Sequence, residues 1–215
     1  SEPIPAVGTV CSLDADLSTI LADYAAGHCD AIDLWLGHAE RVLEAGSPES
    51  LRDLLAASGV RVVAASYQGG LLTAGGAAGE AHWSLFRHRL DLCRGLSIPV
   101  LVVAGDAFAP LSATDFGAMQ SNLATAAGLA QEAGVKLALE FDSRASFPNN
   151  LQSAVALIDQ VGHPALGLCL DWHHFTMGPS KEADLGLLAS DNVFHVQLSD
   201  LSLIHISEPT RPERI

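Results

Sequence analysis

LALEF (137–141), LGLCLDWHHF (166–175) and FHVQLSD (194–200) decide how this chain is read. Each is an apolar run that ends in a side chain able to bind a metal ion or move a proton: Glu140, then Asp171 with His174, then Gln197. In a parallel α/β barrel the C-terminal ends of the strands converge on one face, and such barrels carry their chemistry there. One carboxylate at a strand end is common. Three successive strands ending this way point to a mononuclear divalent-metal site.

Outward from these strands the same unit repeats. Short apolar or β-branched runs at Ala6–Ser12, Ala31–Leu36, Arg61–Ser66, Val100–Ala104, Val135–Phe141, Leu166–Asp171 and Val193–Leu198 read as strands. Longer amphipathic stretches at Leu17–Gly27, Pro48–Ser58, Ala81–Gly95, Ala113–Ala133, Asn150–Val161 and Lys181–Ala189 read as helices. Gly59-Val60 and Gly134-Val135 mark helix-to-strand junctions, because glycine accepts the left-handed cap that ends a helix. The strand spacing is that of βα units, and no linker or low-complexity tract interrupts them. A nucleotide-binding open sheet would carry a glycine-rich turn after its first strand, whereas Cys-Ser-Leu-Asp stands there. The expected fold is therefore α/β, a (β/α)8 TIM barrel truncated after the seventh strand. Residues 1–200 form the incomplete barrel domain. The segment 201–215 (LSLIHISEPTRPERI) changes character abruptly and is expected to be a non-native or disordered tail.

Alternation within the strands predicts which face is which. With Glu140 toward the barrel axis, Ala138 also points inward, and Val135, Leu137 and Leu139 point to the helices. In the sixth strand Gly167, Cys169 and Asp171 point inward, and Leu166, Leu168 and Leu170 outward. Small residues beneath a polar top layer leave room for a metal and a ligand.

Composition narrows the partners. There are 11 basic against 25 acidic residues, a net charge of −14, which argues against nucleic acid as a partner. The longest apolar run, Ile98 to Gly105, is far too short to span a membrane, and no basic-then-apolar leader opens the chain. Cys11, Cys29, Cys93 and Cys169 form no C-x-x-C pair, as expected of a cytoplasmic protein in a reducing compartment. With an open barrel, unpaired edge strands invite association, so a homo-oligomer is an open expectation.

The site residues each have a structural alternative. Glu140 is a metal ligand or the partner of Arg144 in an ion pair. Asp171 ligates, and His174 reaches the metal or a substrate hydroxyl. Gln197 is a ligand through its amide oxygen or a polar core residue, and His195, one layer deeper, is a hydrogen-bonded core histidine. Trp172 walls a sugar-sized pocket or only packs. Asp33-Leu34-Trp35 and Ser66-Tyr67-Gln68 end the second and third strands and line a polyol pocket or serve only as loop scaffolding, with Trp35 and Gln68 the candidate substrate contacts. Mn²⁺ or Mg²⁺ suits the oxygen-rich ligands best, and Co²⁺ or Zn²⁺ is compatible with the imidazole.

On the strength of LALEF, LDWHHF and HVQLSD, the chain resembles the xylose isomerase-like barrel superfamily of sugar isomerases and epimerases, over roughly residues 5–200. The resemblance implies that Glu140, Asp171 and Gln197 are metal ligands and that His174 contacts substrate or metal. It also implies a fourth ligand, a Glu on an eighth strand, which is not found here. Endonuclease IV-type members add histidines at the third and fourth strand ends; here these read Ser66-Tyr67-Gln68 and Ala104-Gly105-Asp106. Tagatose-type epimerases carry a second Glu six residues past the first, where this chain has Ser146. The implied activity is isomerisation or epimerisation of a sugar or related hydroxy-carbonyl compound by enediolate proton transfer. An inosose dehydratase-like elimination and a non-catalytic sugar- or metal-binding barrel are the alternatives. Without the eighth-strand Glu, this chain itself is expected to be inactive or nearly so.

Overall fold

The computed structural model describes residues 2–199; Ser1, Asp200 and the expected tail at 201–215 lie outside them. Seven parallel strands form one sheet in chain order: β1 (Val7–Gly8), β2 (Ala31–Trp35), β3 (Arg61–Gln68), β4 (Val100–Gly105), β5 (Lys136–Phe141), β6 (Leu166–Asp171) and β7 (Val193–Gln197). The helices are α1 (Leu17–Ala26), α2 (Leu36–Ala45), α3 (Pro48–Ser58), α4 (Gly76–Gly95), α5 (Ala113–Ala133), α6 (Leu151–Val161) and α7 (Trp172–Met177). The sheet curls until side chains of β2 and β7 meet across its concave face, with His195 Nε2 3.0 Å from Asp33 Oδ2. This is a TIM barrel truncated after its seventh strand, with β1 and β7 as its edges among the described residues.

Local chemistry sets the element ends. Asp16 caps α1 through the Thr19 N–H at 2.9 Å, and Ser47, Ser112 and Asn150 form reciprocal capping boxes at the starts of α3, α5 and α6. Gly59 (φ 71°) and Gly134 (φ 72°) end α3 and α5 in the left-handed conformation, as their junction positions suggested. No helix among the described residues is long and apolar enough to cross a membrane.

Several boundaries differ from the sequence expectation. The first strand is short because at Thr9 the chain turns into a 3-10 helix, Thr9–Ser12. The Thr9 hydroxyl there accepts the Trp35 N–H at 2.8 Å, a donor that a longer strand's carbonyl would have taken. Helices α2 and α7 were not expected, because each begins directly at a strand end with no polar break in the sequence. The Lys181–Ala189 helix is instead a 3-10 stretch, Glu182–Leu187.

Two cores lie on the two faces of the sheet. Leu137, Leu139, Leu166, Leu168 and Leu170 point outward into a large cluster shared with the helices. Val102, Ala138 and Cys169 point inward and form a small separate cluster capped by Val100 and Phe194. The inward and outward assignments from alternation in β5 and β6 agree with this division. Gly167 is where the backbone passes under Phe194; a Cβ there would stand 2.7 Å from the ring.

The register is not uniform. Leu168 pairs with Val193 but Cys169 with His195, so Phe194 is an extra residue in β7. Val193 thus packs outward, and Phe194, His195 and Gln197 serve the concave side. In β3, Ala65 pairs with Leu101 and Gln68 with Val103, three steps against two, which reverses the phase of the strand end.

Leu139→Ala, at a fully buried outward site, should cost about 2–5 kcal/mol in urea denaturation. Val196→Ala, 48% exposed on the edge strand, should stay within about 0.5 kcal/mol of the parent. Equal costs at the two sites would contradict this assignment of faces.

Candidate metal centre

The strand ends open into a cavity of about 390 Å³ lined by, among others, Asp33, Trp35, Tyr67, Phe108, Glu140 and Gln197. Glu140 at the end of β5 and His174 from the first turn of α7 line it, and Asp171 at the end of β6 comes together with them. One ligand atom from each lies within 4.8 Å of the others. That is the span two ligands reach across a cation when each bond is about 2.4 Å long.

Asp171 and His174 are held from the protein side. Asp171 caps α7, its Oδ1 accepting the His174 N–H at 3.0 Å. The cap joins the D-x-x-H spacing to geometry, because the residue three past a carboxylate cap starts the helix above it. The Ser143 N–H points at His174 Nδ1 at 3.3 Å, so the ring hydrogen of the neutral imidazole belongs on Nε2. That nitrogen lies 3.9 Å from Glu140 Oε1. Arg144 does not pair with Glu140; its guanidinium binds Asp142 Oδ2 at 2.8 Å.

Gln197 stands opposite Asp171 in the sheet register. Its Nε2 donates to Asp33 Oδ2 at 3.2 Å and lies 3.4 Å from Ser66 Oγ. Ser66 Oγ donates to Asp33 at 2.7 Å, and His195 Nε2 lies 3.0 Å from Asp33 Oδ2. His195 is thus a hydrogen-bonded interior histidine.

The protonation pattern follows the surroundings. Burial, with the added charges of Asp171, Asp142 and Asp33, pushes the Glu140 carboxyl up to about 8. Burial opposes ionisation of Asp33 too, yet hydrogen bonds from His195, Ser66 and Gln197 hold it below the ordinary carboxylate value. Asp142 is likewise held low against burial by Arg144. Burial lowers His174 from the ordinary imidazole value, although Asp171 and Asp142 pull the other way. Two half-buried carboxyls with no Arg or Lys paired to either among the described residues make an arrangement that a divalent cation neutralises. The donor set fits such an ion.

The substrate-facing candidates divide. Trp35 lines the cavity, edge-on to His38 at 5.0 Å between ring centres. Gln68 is fully buried and faces the helices, its Nε2 on Gly69 O at 2.7 Å and its Oε1 accepting from Arg89 at 3.3 Å. The extra residue in β3 is the reason: it turns Gln68 outward and gives Tyr67 the cavity position. Trp172 stacks on Phe175 at 4.9 Å and is not part of the cavity lining. Three lining residues were not singled out from sequence: Phe108, Asp142 and Asp106, whose Oδ2 accepts the Gly70 N–H at 2.7 Å. A carboxylate just past a strand end was the available signal for both acids.

Comparison with known proteins agrees with this fold. A family model described as xylose isomerase-like TIM barrel matches residues 22–210. Among solved structures, a xylose isomerase-like TIM barrel/4-hydroxyphenylpyruvate dioxygenase fusion protein is 22% identical with a TM-score of 0.80, over 91% of this chain and 31% of that one. An IOLI protein solved with a binding zinc atom is 18% identical with a TM-score of 0.81, over 91% of this chain and 72% of that one. A D-psicose 3-epimerase solved in the presence of D-fructose is 20% identical with a TM-score of 0.72, over 87% of this chain and 68% of that one. The chain thus spans less than a third of the fusion protein's length. At these identities the likeness is one of fold. No curated protein matches the sequence.

With chelator present, stability should fall as pH rises from 6.5 to about 8 and level off beyond, since folded Glu140 keeps a proton to about 8 that the unfolded chain has already lost. His174, with its lowered folded value, acts in the opposite sense and only below its ordinary 6.5. Urea denaturation at three pH values checks this. Glu140→Gln should flatten the profile; an unchanged slope would assign it to another group.

Proposed function

This chain belongs to the xylose isomerase-like TIM barrel family, and on that premise we propose that it is built for divalent-metal-dependent isomerisation or epimerisation of a sugar or related hydroxy-carbonyl compound. One observation carries the reading: Glu140, Asp171 and His174 gather their ligand atoms within 4.8 Å, and Glu140 and His174 line a cavity of about 390 Å³. A cavity of that size suits a monosaccharide or cyclitol. The epimerase with D-fructose and the zinc-bearing protein support the substrate class and the metal by analogy of fold.

We assign Glu140, Asp171 and Gln197 as the metal ligands. Mn²⁺ or Mg²⁺ is the cation the oxygen-rich set favours, with Co²⁺ or Zn²⁺ as substitutes. Bound there, the ion supplies Lewis-acid polarisation of the substrate carbonyl and keeps both carboxylates ionised at neutral pH. Glu140 takes the proton from the carbon beside the carbonyl. The Nε2–H of His174, on the Glu140 side of the ring, donates to the substrate oxygen that gains negative charge. Trp35, Tyr67 and Phe108 wall the mouth, give the sugar apolar faces to pack on and limit water at the reacting carbons. Returning the proton to the neighbouring carbon isomerises the substrate; epimerisation instead delivers a proton to the opposite face of the same carbon and calls for a second acid facing Glu140. If a hydroxyl sits β to the carbonyl, the same proton abstraction expels water instead.

The test pairs metal binding with product analysis. Mn²⁺ should raise the melting temperature of the parent, and Glu140→Gln or Asp171→Asn should abolish that rise. Any turnover on a panel of free ketoses and inososes should drop by at least about 10²-fold in Glu140→Gln. Products of unchanged mass mean isomerisation, and loss of one water means dehydration. Metal and sugar binding without product fits a non-catalytic binding barrel. No stabilisation by any divalent metal would sink the proposal.

A further inference from the structure

Gln197 presents a problem that a carboxylate or imidazole ligand does not. A primary amide is nearly symmetric in shape, yet only its oxygen can bind a cation; its nitrogen has no lone pair to give. Something must fix which way the amide points.

We propose that Asp33 is the positioning residue of this centre, binding the amide nitrogen of Gln197 and so turning its oxygen toward the metal. The inference rests on the reading of the site as a metal centre. Three donors converge on the Asp33 carboxylate. Ser66 Oγ reaches both its oxygens, at 2.7 and 2.8 Å, His195 Nε2 lies 3.0 Å from Oδ2, and Gln197 Nε2 donates to Oδ2 at 3.2 Å. Because the Ser66 hydroxyl spends its one hydrogen on Asp33, its oxygen is left as an acceptor. Gln197 Nε2 lies 3.4 Å from it. Both amide hydrogens of Gln197 therefore have an acceptor on the β2–β3 side. The reversed amide would set oxygen against carboxylate and forfeit both bonds. Oε1 is left for the cavity, beside Asp171, which Gln197 faces in register. His195 and Ser66 stop the carboxylate from rotating away.

Asp33→Asn tests this, because the new amide can offer a donor toward Gln197 and let it turn round. Titration with Co²⁺ alone reads both affinity and the visible band of the bound ion. Asp33→Asn should weaken Co²⁺ binding by about 10–100-fold and give the same altered band as Gln197→Ala. In a Gln197→Ala background, adding Asp33→Asn should cost none of the further roughly 10–100-fold, since the positioning acts through Gln197 and only the loss of the Asp33 charge near Glu140 remains. Ser66→Ala should show a smaller fall with the same dependence on Gln197, and it decides the matter if Asp33→Asn does not fold. Equal losses with and without Gln197, or an unaltered Co²⁺ band, would overturn the proposal while leaving the metal centre standing. Failure of the parent to bind Co²⁺ at all would bring down the metal reading, and this inference with it.

Discussion

Asp33 is a carboxylate 8% exposed, at the end of β2, that receives hydrogen bonds from Ser66 on β3 and from His195 and Gln197 on β7. Burying a charge costs several kcal/mol unless donors replace the lost water. Here the donors come from strands on opposite sides of the curled sheet, so satisfying the charge and holding the curl are one requirement. Losing Asp33 would leave three polar side chains without their acceptor and β7 without its tie to β2. The bond network that shapes the open barrel also reaches a proposed ligand of the centre. Fold and site share a part.

Beneath that network the interior is filled with small groups. Val102, Ala138 and Cys169 pack under Phe194 and Val100, while the leucines of β5 and β6 face the helices. Small side chains inside leave the upper barrel open, and the open space fills with carboxylates: Asp33, Asp106, Glu140 and Asp142 all line the cavity. Burial, together with the charges of Asp171, Asp142 and Asp33, keeps Glu140 protonated to about 8. Asp33 and Asp142 escape that fate because each has its own donors. The carboxyl left uncompensated is the one beside Asp171 and His174, which concentrates the demand for a cation at one point.

The site was partly legible in the chain. Glu140, Asp171 and His174 could be read because their strands alternate cleanly and because a capping carboxylate fixes the D-x-x-H geometry locally. From the Ser66-Tyr67-Gln68 strand end, Gln68 rather than Tyr67 was chosen to contact the substrate, for one reason. Period-two counting from Ser66 carries Gln68 inward, and nothing in RVVAASYQ marks the extra residue that reverses the strand end. Trp172 lay next to a ligand in sequence, but a helix starting at that residue rotates it onto Phe175. Asp33 was noted only as a strand-end residue, since its partners lie more than a hundred positions away on β7.

The sequence by itself determined what local chemistry controls: the βα repeat, the outward and inward faces of β5 and β6, the glycine caps after α3 and α5, and the acid and histidine at the strand ends. These follow from side-chain period, capping and burial, which act over a few residues. Tertiary structure alone decided the register skips in β3 and β7, the turn of Gln68 away from the cavity and the convergence of Ser66, His195 and Gln197 on Asp33. Those depend on how strands from distant parts of the chain slide past one another to satisfy a buried charge, and no short stretch of sequence carries that balance.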